Sequence, residues 1–212
     1  CANVFTPGKQ SATNWRDLVI QLWPLLALAL AAQFGLMMFE ATFALHAREM
    51  LQYGPEMVGV IFTICALVMA VFQGGAVGYL APRVRAGYQI AGGFVLMGLA
   101  LAVLLFARGT TLILTIVALL AFGMAVITPN LTALTSKVKR QQTGAALGLI
   151  NAANSLGQAT GAGLGGLLFA LNMNTAYWIT GAMLVATGIV SGAVVQRGRV
   201  ASSDEQISGR RS

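Results

Sequence analysis

Glu40 is the only Asp, Glu, Lys or Arg between Leu18 and Ala47. Gln33, Met37, Glu40 and Ala44 follow a 3.6-residue period and share one helix face, with Phe43 at its flank. A carboxylate, an amide, a thioether and an aromatic ring on one stripe suit a cavity that meets both polar and apolar ligand groups. Burial disfavours the charged form of a carboxyl group. Glu40 is therefore a candidate for exchanging protons as its surroundings open to water, and an acid inside an apolar helix is a functional candidate by default. The plainer alternative is an acid that reaches the membrane interface. Counted from Phe34, mid-way along the apolar stretch, Glu40 stands only about 9 Å off centre.

Asn151, Asn154, Ser155 and Gln158 form a second polar stripe, at i, i+3, i+4 and i+7. Aligned amides and a hydroxyl in an apolar helix must face protein or water. They can line a water-filled path, or they can bond neighbouring helices at about 1 kcal/mol each. Gly157, Gly161 and Gly165 repeat every four residues, as do Gly144 with Gly148 and Gly74 with Gly78. Such spacing lets helix backbones approach closely. Thr128-Pro129-Asn130 predicts a kink, because Pro129 frees the carbonyl of Ala125. Asn130 is positioned to re-satisfy the freed groups or to line a cavity, with the structural role preferred. His46, beside Arg48 and Glu49, reads as interfacial.

No set of residues supports enzyme chemistry. There is one His, no Cys/His metal cluster, no phosphate-binding Gly-Lys-Ser/Thr loop and no nucleophile–His–acid set. Metal and cofactor requirements are accordingly expected to be none. The net charge of +7 is not gathered on a soluble face, and no nucleic-acid-binding motif is present. Cys1 and Cys65 imply no disulfide framework.

The elements that must hold these residues follow from where charge is missing. No Asp, Glu, Lys or Arg occurs in 57–82, 86–107, 109–136 or 141–196. The chain is 57% hydrophobic and 9% charged, whereas soluble domains carry roughly 25% charged residues. The reading is an all-α integral membrane protein, a six-helix bundle with spans at about 20–46, 57–80, 88–107, 111–136, 144–171 and 176–196. Each is long enough for a hydrocarbon core of ~30 Å, and backbone satisfaction in lipid requires helices.

Residues 18–196 thus form the transmembrane domain, 1–17 a polar lead-in and 197–212 a small-residue-rich tail expected to be disordered. The lead-in does not look like a cleavable signal peptide. A start at Cys1 rather than Met fits a segment of a longer protein as well as a processed terminus. Six spans put both termini on one side. That side holds Lys9, Arg16, Arg83, Arg85, Lys137, Lys139, Arg140, Arg197, Arg199, Arg210 and Arg211, and the other holds only Arg48 and Arg108. The asymmetry predicts cytoplasmic termini in the inner (plasma) membrane. Every Trp and Tyr falls near a span end, as an aromatic belt requires.

The segment Gly78-Tyr79-Leu80-Ala81-Pro82-Arg83-Val84-Arg85 resembles a degenerate Gly-x-Leu-x-Asp-Arg-x-Gly-Arg signature of the major facilitator superfamily. Gln73 precedes it. Gly123 through Pro129-Asn130-Leu131 and Thr135-Ser136 resembles the tenth helix of proton-coupled drug exporters. Gly144-Ala145-Ala146-Leu147-Gly148 with Ser155-Leu156-Gly157 and Gly161 resembles the eleventh. Pro82 replaces the signature's Asp and Arg85 its Gly, so the resemblance does not carry the gating contacts of the signature over to Arg83. The likeness covers residues 15–196 and implies helices seven to twelve of a twelve-helix fold. The polar lead-in would then end a central cytoplasmic loop, and an N-terminal six-helix half would be the partner. It further implies a midplane cavity between the halves, lined in part by the helices bearing Glu40 and the Asn151–Gln158 stripe.

The resulting expectation is transport of a small molecule by alternating access, as proton-driven export of amphipathic compounds or drugs. Glu40 would be the coupling site, and Gln33, Met37, Phe43, Asn151, Asn154, Ser155 and Gln158 would face the substrate. Gly78, Arg83, Pro129, Asn130, Gly157, Gly161 and Gly165 would serve packing and conformational change. Two rivals share the sequence: uptake of a sugar, organic acid or nucleoside in the same fold, and a non-transporting six-helix scaffold.

Overall fold

The computed structural model describes residues 15–49, 51–80, 84–107, 109–137 and 142–208. For the helical residues 74–80, 173 and 194–208 only the backbone is described. The described residues form six helices: α1 Trp15–Glu49, α2 Pro55–Leu80, α3 Ala86–Leu104, α4 Thr110–Thr135, α5 Thr143–Leu171 and α6 Met173–Ser208. No strand occurs among them. Five of the six, α1, α2, α3, α4 and α6, are long and apolar enough to cross a membrane. The amides and glycines of α5 keep its hydropathy lower, though its 29 residues match the others in length.

Two helices, α1 and α6, run well beyond the apolar stretches that announce them. α1 begins at Trp15, so the polar Arg16 and Asp17 are helical. α6 continues to Ser208, which corrects the expected disordered tail for residues 197–208. Gln196–Ser208 contains no Pro and mostly tolerant helix formers, so the backbone can extend the last turn beyond the apolar part. Residues 1–14 and 209–212 lie outside the described residues.

α1 packs along α5, α3 along both α6 and α4, and α2 against α4. Between membrane helices there is little hydrophobic driving force, so close backbone approach and van der Waals fit must supply the contact. At Gly98 an added Cβ would stand 2.7 Å from the Gly181 carbonyl oxygen, so only a hydrogen fits between α3 and α6. The interior is filled by Phe39, Phe43, Phe94, Met97, Leu120 and Met124, all essentially without exposure. One hydrogen bond, Tyr53 Oη to Thr110 Oγ1 at 2.7 Å, ties the α1–α2 connection to the start of α4. Both connections thereby lie at one end of the bundle, as an up-and-down topology requires.

Pro129 lies inside a continuous α4. Asn130 is buried, and its Nδ2 donates to the Val126 carbonyl at 2.8 Å and to Gln89 Oε1 at 2.9 Å. Gln89 Nε2 in turn donates to the Val84 carbonyl at 2.6 Å. The chain Val84–Gln89–Asn130 joins the start of α3 to the later part of α4, and together with the Val126 carbonyl it engages both donors of the Asn130 amide.

Candidate functional site

α1 and α5 run in the same direction and in step. The stripe Gly157, Gly161 and Gly165 lies on α1: Gly157 against Leu30, Gln33 and Phe34, Gly161 against Phe34 and Met37, and Gly165 against Met38 and Ala41. At Gly161 an added Cβ would stand 2.5 Å from the Phe34 carbonyl oxygen. Four residues of α5 therefore accompany four of α1. The same four-residue spacing at Gly144 and Gly148 makes no such contact, since both face open space. That corrects the expectation for this pair: spacing selects a helix face but not whether a neighbour covers it. Gly78 falls in the stretch with only its backbone described, and Arg83 lies outside the described residues.

This register brings the two polar stripes together at one point. Gln158 Nε2 donates to Gln33 Oε1 at 3.3 Å across the α1–α5 seam. Gln33, Met37, Glu40 and Ala44 are all half-buried along the open side of α1. Asn151, Ser155 and Gln158 are exposed on α5, beside the buried face Ala146, Ile150, Ala153 and Gly157. Asn154 is half-buried and lines a narrow crevice with Thr128 and Thr132 of α4 and Ala29 and Ala32 of α1.

The stripes do not converge on Glu40. In the α1–α5 register Glu40 is level with Gly165, about 10 Å along the axis from Gln158 and about 21 Å from Asn151. The polar groups form a line along a wall rather than a single cluster. Glu40 makes no hydrogen bond or ion pair with another described residue. No group of three or more His, Cys, Asp or Glu suited to a metal occurs among the described residues.

Phe43 does not belong to this wall. It has no exposure and stacks on Phe39 at 5.4 Å between ring centroids, with Phe62 of α2 edge-on at 6.0 Å. Three residues after Glu40, its direction is rotated by about 60°, enough to turn it from the open side into the α1–α2 packing. His46, in the last turn of α1, is buried against Tyr177, ring centroids 5.8 Å apart. Thr128 and Thr132, by contrast, belong to the crevice beside Asn154, a role that the sequence reading gives to neither. Their i, i+4 spacing was the available signal, but threonines that can bond back to their own helix read as structural. Thr132 Oγ1 does donate to the Thr128 carbonyl, at 3.0 Å.

Six helices, a glycine seam and a polar wall on the open side are shared by many membrane bundles, so sequence likeness decides among them. A family model of the Major Facilitator Superfamily matches residues 22–210. The chain belongs to that superfamily. Its members are transporters, and this major facilitator chain is a multi-pass membrane protein. It is similar to Multidrug resistance protein 2 of Bacillus subtilis (strain 168), with 30% identity over 161 residues. The match covers 74% of this chain and 39% of that relative. The major facilitator chain therefore spans well under half the length of the relative it matches.

Proposed function

We propose that this chain supplies one six-helix half of a transporter that exports amphipathic compounds, with Glu40 as its proton-coupling site. The open side of α1, with its half-buried Gln33, Met37 and Glu40, would be one wall of the substrate cavity. Asn151, Asn154, Ser155 and Gln158 of α5 would continue it. The other wall would come from an N-terminal six-helix half, with both termini of the present segment cytoplasmic. The bond from Gln158 to Gln33 carries this reading, because it fixes the two polar stripes on one continuous surface. The likeness to a multidrug resistance protein supports the export of diverse compounds. Alternating access needs no covalent chemistry and no resident cofactor, only a site whose protonation and occupancy differ between two arrangements.

The test is proton-driven efflux by the full-length protein in vesicles, with a panel of amphipathic dyes. Met37→Ala and Gln33→Ala are expected to change the relative rates among the dyes. Identical relative rates in wild type and both variants would remove α1 from the substrate path.

A further inference from the structure

A second cavity lies on the opposite face of α1. It measures about 540 Å³ and sits among α1, α3, α4 and α6, touched by Trp23, Leu28, Ala31, Ile90, Leu134 and Val190 among others. Ala31 and Glu40 are nine residues apart, as are Leu28 and Met37, which is about two and a half helical turns. The cavity and the polar wall therefore share a helix but not a side. Trp23 and Val190 are well exposed at its rim, 62% and 61%, so it opens on the outer surface of the bundle.

Apart from the Trp23 indole at the rim, its lining offers little for a polar ligand. The hydroxyls of Thr187 and Ser191 are both turned back to their own helix, donating to the Met183 and Gly188 carbonyls at 2.8 Å. A drug-sized molecule is normally oriented by a few convergent polar groups, and no such set remains here. An acyl chain needs none.

The charges at one end select the head of that chain. The Gln89–Asn130 bond holds the start of α3 level with the later part of α4. Arg85 lies about 6 Å beyond this bond and Lys137 about 10 Å beyond it, towards the same end of the bundle. Arg85 precedes the lining residue Gly87 by two positions, and Lys137 follows the lining residue Leu134 by three. Both are exposed, and neither forms an ion pair with another described residue. Arg16 stands at that end too, next to the acidic Asp17 in sequence.

We propose that this cavity holds an acyl chain of an anionic phospholipid whose phosphate is met by Arg85 and Lys137. Trp23, at the rim, would sit at the depth where a ring with a polar edge meets the headgroup region. The lipid would fill the space among α1, α3, α4 and α6 and hold them from outside, leaving the polar wall free to move. The inference rests on the cavity and the two cations, and not on what the protein transports.

The test is native mass spectrometry of the full-length protein after delipidation, offered phosphatidylglycerol or phosphatidylcholine with identical chains. One phosphatidylglycerol is expected to be retained in preference to phosphatidylcholine. Arg85→Gln and Lys137→Gln should each lower that retention about fivefold. Ala186→Phe and Ala27→Phe, at two exposed lining positions, fill the cavity and should release both lipids. Excess inorganic phosphate should leave the lipid bound. Equal retention of the two lipids, undiminished retention in the charge or filling variants, or displacement by phosphate would each overturn the proposal.

Discussion

Gln158 of α5 donates a hydrogen bond to Gln33 of α1 at 3.3 Å, although 125 residues separate them. The contact stands on a seam made by Gly157 and Gly161, whose missing side chains let the two backbones meet. Glu40 lies further along the same side of α1, without a partner among the described residues. The order of cause runs from glycine spacing, to helix approach, to a continuous polar wall.

The seam sets the first expectation. Gly161→Leu must push α1 away from the Phe34 carbonyl, and overpacking of this kind costs about 1–3 kcal/mol. Gly148→Leu adds a side chain where nothing stands within 4 Å. Thermal unfolding in detergent should fall clearly for the first variant and stay near wild type for the second. Equal melting temperatures for the two would mean that α5 does not pack on α1 through this stripe.

The polar clasp between α3 and α4 sets the second. Asn130→Leu removes the amide that donates to Gln89 Oε1, and Gln89→Met removes one of the two acceptors of the Asn130 amide, the other being the Val126 carbonyl. Interhelical bonds in membranes are worth about 0.6 kcal/mol on average and at most about 1.7. A double-mutant cycle should return a coupling energy in that range, with the double variant less damaged than the two single losses combined. A coupling of zero would show that the bond does not form in the bilayer.

Phe43 and Met37 separate packing from transport. Phe43→Ala opens a hole between Phe39 and Phe62 and should cost about 2–3 kcal/mol of stability. That is below the ~3–5 kcal/mol of a soluble core, because the separated helices face lipid rather than water. Met37→Ala, half-buried on the open side, should leave stability within about 1 kcal/mol and alter the substrate profile. The opposite pattern would return Phe43 to the cavity.

Much of this organisation was legible from residue types alone. Charge-free stretches gave six helices, because a membrane span leaves little freedom in composition. The 3.6-residue period gave the two polar stripes, since Gln33, Met37 and Glu40 do share the half-buried side of α1. Neighbours were less legible. A spacing argument places Phe43 on the wall, because a rotation of about 60° on a helix is invisible to it unless the adjoining helix is known. Gly144 and Gly148 look like Gly157 and Gly161 in sequence but meet nothing. The continuation of α6 to Ser208 was hidden because hydropathy marks the lipid boundary, not the helix end. The distance from Glu40 to Asn151 required the α1–α5 register, which only packing supplies.

The most direct test concerns Glu40. Glu40→Gln keeps the size and hydrogen-bonding reach of the side chain but cannot exchange a proton at its end. In vesicles containing the full-length protein, wild type should export dye when a proton gradient is imposed. The Glu40→Gln variant should lose gradient-driven export while still exchanging dye across the membrane when no gradient is applied. Export by Glu40→Gln with unchanged rate and unchanged pH dependence would contradict a coupling role for Glu40.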